Sequence, residues 1–305
     1  MGVYARAKRY DPTRTTHLRN AFVRDLNKRF LALRGLIRKA VVEQDVFGLT
    51  NISTHALPDR GAFAFDRSGQ KVDAFMNWLR QQVNRDMLEI RYIQQLGTST
   101  EAAWTNMYIQ DSYKRGVIRA RYEMKVAGYE VPSLGQTGGI QAAMQQPFHM
   151  DRVGLLYTRT FNDLRGITDA MDHQISRVLA EGMANGDGPA LLARKMNAAI
   201  SGKGIGDLGL TDTLGRFIPA QRRAQTLART EMIRAHHSAT IQEYKNWAVE
   251  GVEVQAEWAS TGDDGRTCDE CLDLDGSVYT LDEIERMIPL HPNCRCIALP
   301  VALKT

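Results

Sequence analysis

The residues of this chain best suited to chemistry lie together near its C-terminal end. Cys268 and Cys271 form a C-x2-C pair, and Cys294 and Cys296 form a C-x-C pair. His291 stands three residues before Cys294, in the run His291-Pro292-Asn293-Cys294-Arg295-Cys296. Two short knuckles of soft ligands suit a zinc ion, which takes four donors at about 2.0–2.3 Å in a tetrahedron. Spacing alone does not select four from the five candidates Cys268, Cys271, His291, Cys294 and Cys296. Four protein donors fill the coordination sphere, so one structural zinc is expected rather than a catalytic ion, which keeps a position open. Two other states stay open. Disulfides would have to join the front pair to the back pair, because a C-x-C pair rarely closes on itself, and free cysteines are also common as plain core residues.

Other titratable groups carry less. Glu231, His236 and His237 fall on one predicted helix, without a His-Glu-x-x-His order or a third ligand, and are expected at the surface or the core edge. Asp263, Asp264, Asp273 and Asp275 surround the cysteines and offer oxygen to a divalent cation, yet Gly262-Asp263-Asp264-Gly265 reads equally well as a turn. A metal-dependent nuclease or other DNA-acting hydrolase here would use His291 as base with Asn293 as its support. Pro292 and the flanking cysteines instead mark His291 as a knuckle residue. Ser201-Gly202-Lys203-Gly204 lacks the spacing of a phosphate loop.

The elements that must position the cluster change period along the chain. Leu18, Phe22, Leu26, Phe30, Leu33, Ile37 and Val41 form one helical stripe, with Arg19, Arg24, Lys28, Arg34 and Arg38 expected on the surface around it. Gly48 to Gly69 is turn-rich. Val72 to Leu88 reads as a helix, as does the stretch from Thr100 to about Gly128. Glu130 to Pro147 reads as a loop or hinge. A long helix follows, carrying Val153, Tyr157, Phe161, Leu164, Ile167, Met171, Ile175 and Val178 on one face. Pro189 and Pro219 are placed to open two more helices, with a loop over 201–215 between them. Beyond Val252 the apolar residues alternate: Val252, Val254, Ala256 and Trp258, then Ile297, Leu299 and Val301, with Ser277 to Thr280 a third short strand. Thr267-x-x-Glu270 and Thr280-x-x-Glu283 read as capping boxes.

The expected fold class is therefore α+β and mostly helical. A long-helix region over 1–180 precedes a small domain over 185–305, in which helices and a short antiparallel sheet carry the Cys/His knuckle. With 43% hydrophobic residues the chain can build such a core, and it holds no apolar run of about 18 residues to cross a membrane. The N-terminus lacks the apolar stretch of a secretory signal, so a protein made in a reducing cytosol is expected. The net charge of +4 conceals a basic arm, residues 1–39, with eleven Lys or Arg against Asp11 and Asp25. Such an arm suits nucleic acid, an acidic protein surface, or simply water.

Taken in order, Ala228-Arg229-Thr230-Glu231, Trp258, Asp264-x-Arg266-Thr267-Cys268-x-x-Cys271, Asp275-Gly276 and the closing His291-Pro292-Asn293-Cys294-Arg295-Cys296 with Pro300 resemble the phage Mu F-like minor head protein (head morphogenesis) family. The resemblance covers roughly residues 185–302, and the closing run is its most specific part. It implies a non-enzymatic structural minor head protein of a tailed phage or prophage, present in several copies near the portal vertex. The implied role is in head assembly or DNA packaging and ejection. The implied location is the virion head, with the host cytoplasm during assembly, and the implied partners are the portal protein, the major capsid protein and packaged DNA. The family brings no catalytic residues, and it makes the Cys/His positions a knuckle that defines the fold.

Overall fold

The structure, a computed structural model, describes residues 11–50, 68–95, 98–202, 218–248 and 254–301. The first ten residues of the basic arm, most of the turn-rich stretch to Gly69, the loop over 203–215 and Val252 of the first strand lie outside the described residues. In chain order come α1 (Thr16–Arg38), continued by a widened π turn at Lys39–Glu43, α2 (Ser68–Asp86), β1 (Ile90–Gln95), β2 (Thr98–Ala103) and α3 (Asn106–Val126). Then follow α4 (Gly139–Met144), α5 (Pro147–Ala184), α6 (Pro189–Ser201), α7 (Ala220–Ala248), β3 (Gln255–Ala259), α8 (Asp269–Asp273), β4 (Val278–Thr280), α9 (Leu281–Glu285) and β5 (Ile297–Pro300). The fold is α+β and mostly helical, with two small antiparallel sheets among the described residues. No described helix is long and apolar enough to cross a membrane.

The chain divides into two compact units. One comprises residues 1–23, 105–160 and 226–305, and the other comprises 24–104 and 161–225. In the second unit the helical stripe of α1 is buried as its spacing requires: Leu26, Phe30, Leu33 and Ile37 are all at 0% exposure. Phe47 and Phe75 meet at 5.3 Å between ring centroids. Arg29 donates to the Asp86 carbonyl and to Glu89 (2.9 Å), and its guanidinium lies 4.0 Å above the Trp104 ring. Trp104 Nε1 in turn donates to the Met87 carbonyl at 2.9 Å. These bonds fasten α1 to the turn that leads into β1.

In the first unit β3 is the central strand. It pairs antiparallel with β4 (Ala256 opposite Tyr279) and with β5 (Trp258 opposite Ala298). Trp258, at 0% exposure, anchors a core with Tyr244, Ile284, Ile288 and three of the cysteines. Hydroxyls from the helices reach the sheet: Tyr129 donates to the Val301 carbonyl (2.8 Å) and Tyr244 to that of Ala298 (3.3 Å). Helices α3 and α7 cross at Gly116, where an added methyl would press on the His236 carbonyl and stand 2.7 Å from Ala239 Cβ. Beside this crossing lies a dry polar chain. Tyr113 Oη and His149 Nδ1 are 2.9 Å apart, His149 Nε2 and Glu243 Oε1 2.8 Å, and Arg121 Nε donates to Glu243 Oε2 at 2.8 Å. Burial alone would raise the Glu243 carboxyl, but bonds from His149, Arg121 and Trp247 hold it below its ordinary value.

Several expectations are corrected. The helix expected from Thr100 begins at Asn106, and Thr98–Ala103 is instead a strand paired with β1. The stretch from Glu130 to Pro147 contains α4. Strand β5 is buried at every position rather than on alternate ones, because helices cover it on the face that alternation leaves to water. Arg19 is buried at 8% exposure, not displayed with the other basic residues, because Asp11 pairs with it at 3.3 Å. The capping box at Thr280–Glu283 forms with both of its bonds. The one expected at Thr267–Glu270 does not: Cys268 is the N-cap, and the Thr267 hydroxyl is engaged by Thr261, Asp264 and Arg295.

Candidate metal centre

The front knuckle is the start of α8. Cys268 has extended backbone (φ −75°, ψ 159°), and its carbonyl accepts from the Cys271 and Leu272 amides, both at 3.1 Å. Asp269 and Glu270 occupy the first turn, where negative charge suits the exposed amides. One turn of helix thus carries both sulfurs on one side. The back knuckle is the loop that enters β5. The Cys294 amide bonds the His291 carbonyl (3.1 Å), and Asn293 takes a left-handed conformation (φ 63°) that asparagine tolerates. The Asn293 amide donates to Thr230 Oγ1 at 3.0 Å, which seats this loop on α7.

The two knuckles converge. The ligand atoms of Cys268, Cys271 and His291 lie within 4.8 Å of one another, as do those of Cys271, Cys294 and Cys296. Cys271 belongs to both groups. His291 Nε2 is 3.2 Å from the sulfurs of both Cys268 and Cys271, and its Nδ1 is 2.9 Å from the Pro292 carbonyl. That carbonyl can only accept, so Nδ1 carries the proton and the Nε2 lone pair faces the thiols. This is the tautomer and outer contact of a metal-binding histidine. Cys271, Cys294 and Cys296 are each 2% exposed, Cys268 is half-buried, and all four are thiols.

The thiols do not ionise independently. A hydrogen bond from Cys296 holds Cys294 below the usual thiol range. The same bond, followed by burial, pushes Cys296 up, and burial with the neighbouring Cys294 pushes Cys271 up. The donor types, soft sulfur and one imidazole, suit a zinc ion, and the fold sets them in two groups of three that share Cys271.

The acidic residues around the cluster take other roles. Arg295 clamps Asp264 with two parallel bonds, NH1 to Oδ2 at 2.7 Å and NH2 to Oδ1 at 2.8 Å. Asp264 Oδ1 also accepts from the Arg266 and Thr267 amides and the Thr267 hydroxyl. Arg295, followed by the other bonds, holds the Asp264 carboxyl far below its ordinary value. The carboxylate is thereby consumed in joining the two knuckles. Asp275 Oδ1 accepts the Ser260 amide at 2.7 Å. His236 and His237, expected at the surface or core edge, are buried at 2% and 3% exposure. Burial is the main cause that pushes them down, to about 3 and about 4. Glu231 is buried too, between Arg159 (3.3 Å) and Arg234 (3.1 Å).

Residues 173–299 match the family model described as Phage Mu protein F like protein. This segment is Phage Mu F-like. The match covers less than half of the chain and includes every residue of both knuckles, α7 and β3. Neither a curated protein nor a solved structure matches the chain. Within the Phage Mu F-like segment, the motif residues that spacing left unexplained now have physical work. Thr230 receives the back knuckle, Glu231 collects two arginines, and Asp264 with Arg295 locks front to back. The family points to a phage head protein.

Proposed function

We propose that this chain is a non-enzymatic minor head protein of a tailed phage or prophage, present in several copies at the portal vertex and assisting head assembly or DNA passage. One zinc ion, held by four of Cys268, Cys271, His291, Cys294 and Cys296, would close the Phage Mu F-like segment. The observation that carries this reading is the match over residues 173–299 around two groups of three donors that share Cys271. Such an ion would supply folding energy, not an open position for substrate. The nuclease alternative is weakened by His291, whose two ring nitrogens are engaged by the thiols and by Pro292. Exposed Arg24, Lys28, Arg38 and Lys39 on and just after α1 are available to an acidic portal or capsid surface or to packaged DNA. The test is to assemble heads with and without the portal protein and ask whether this chain cosediments. Association that requires the portal supports the reading, and absence from finished particles ends it. A plasmid-nicking assay with Mg²⁺ is expected to be silent; nicking lost on His291→Ala in a folded protein would replace this reading with the nuclease.

A further inference from the structure

Helix α3 carries two apolar faces where one would serve. Ile109, Tyr113, Val117, Ala120 and Met124 belong to its inner face, all at 0% exposure. Met107, Ile118, Tyr122 and Val126 lie on the other side of the helix and are exposed, Ile118 at 47% and Tyr122 at 58%. Steps of eleven, four and four residues keep these four within about a third of a turn of one another. A surface helix needs one apolar stripe for its core and polar residues elsewhere. A second stripe of large apolar side chains, left in water, marks a surface that meets another molecule.

The turn ahead of α1 and this outer face share a groove. Thr13, Arg14, Arg115, Ile118, Arg119 and Tyr122 line it, and its volume is about 310 Å³. The Arg14 amide donates to the Asp11 carbonyl (3.1 Å), and Arg115 Nη1 donates to the Arg14 carbonyl (2.8 Å), which ties the turn to the helix. Arg14 is thereby held in a left-handed conformation (φ 53°) that is uncommon for a residue with a side chain. The three arginines are unequally neutralised. Arg119 pairs with Glu123 at 3.1 Å, whereas neither Arg14 nor Arg115 has a carboxylate partner among the described residues. The groove therefore joins apolar side chains to an excess of two positive charges.

That combination complements a segment in which an apolar side chain stands between carboxylates. Tyrosine and arginine are also the residues that most often anchor protein interfaces. A nucleic-acid strand fits less well. Tyr122 alone among the lining residues has a ring on which a base could stack, and Asp111, one turn before Arg115 on the same face, repels phosphate.

We propose that this groove docks an acidic segment of a partner protein, whose apolar side chain packs on Ile118 and Tyr122 while flanking carboxylates meet Arg14 and Arg115. The probe is a short fluorescent peptide with leucine and phenylalanine between glutamates, titrated with the full chain and read by anisotropy. It should bind saturably, and more weakly as salt screens the charges. Tyr122→Ala, which removes the ring, and Arg115→Gln, which removes a charge, should each weaken binding about tenfold. Arg177→Gln, exposed on α5, should leave it unchanged. Tyr122 and Arg115 are both exposed, so each variant should melt close to the native chain, and lost binding then reports on the groove. The proposal fails if the peptide does not bind, or if a version with lysine for glutamate binds as well. Affinity unaltered in either variant places the peptide elsewhere and overturns it too. A single-stranded oligonucleotide that binds more tightly, and loses affinity in the same two variants, replaces the acidic segment with nucleic acid. A native chain that sediments as a dimer, and becomes monomeric in Tyr122→Ala, replaces it with a second copy.

Discussion

Arg295 and Asp264, 31 residues apart in the chain, are joined by two parallel hydrogen bonds of 2.7 and 2.8 Å. The pair connects the loop ahead of the front cysteines to the loop that holds the back ones. Arg295→Lys keeps the charge but cannot keep both bonds, and should cost about 1 kcal/mol in urea unfolding. The Asp264 carboxyl is depressed in the folded protein. Its stabilisation is therefore complete above the unfolded value of about 3.9 and fades as pH falls below that. The stability gap between the native chain and Asp264→Asn should be constant from pH 7 to 5 and shrink below pH 4. A gap that does not change with acid would mean that the clamp is not ionic.

The shared position of Cys271 in both ligand groups predicts an order among the cysteine variants. Reduced protein should carry one zinc per chain by elemental analysis, and a chelator should lower its melting midpoint reversibly. Cys271→Ser should cost on the order of 4 kcal/mol, as loss of a structural metal does. Cys268→Ser should cost less, because Cys268 is half-buried and a fifth donor is at hand. Metal-free protein with a chelator-insensitive melt would refute the ion.

Two glycines in helix interiors should answer the same substitution with opposite signs. Gly166 has nothing near its missing Cβ, so Gly166→Ala should stabilise by about 0.5–1 kcal/mol through helix propensity. At Gly116 the same gain is opposed by contact with the His236 carbonyl and Ala239, and overpacking of this kind costs about 1–3 kcal/mol. Gly116→Ala should therefore be net destabilising. Thermal melts of both variants decide it.

His236 and His237 are held neutral, pushed down to about 3 and about 4. An unfolded chain takes up these protons near pH 6.5, and the folded one does not. The stabilisation is thus full above pH 6.5 and is lost as pH falls, by about 1.4 kcal/mol per pH unit for each histidine between pH 6 and 4.5. His236→Gln should remove roughly half of that slope in urea unfolding measured across this range. An unchanged slope would place the acid sensitivity elsewhere.

The helices were legible because their apolar residues repeat at three and four, as from Phe22 to Val41, and the periodicity survives any context. The coming together of the four cysteines and His291 was legible because such residues have few uses in so short a span. What escaped has no local signal. Thr98-Ser-Thr-Glu-Ala-Ala does not alternate, and its strand exists only through pairing with Ile90–Gln95. Thr267 looks like a cap until Asp264 and Arg295 take its hydroxyl. Arg19 looks like surface charge until Asp11 folds back on it. The His149–Glu243 bond spans 94 positions, a distance over which pattern says nothing.

The order in which the two units appear along the chain has a consequence for synthesis. Every residue of the second unit, 24–104 and 161–225, has left the ribosome once Gln225 has emerged. The other unit opens the chain, yet its central strand and both knuckles lie beyond that point. Tyr113, His149 and the apolar faces of α3 and α5 near them must then wait, without Glu243 or α7, for the last segment. Nascent chains that are stalled or cut short before β5 should present those faces to chaperones and proteases, while the second unit is already able to fold.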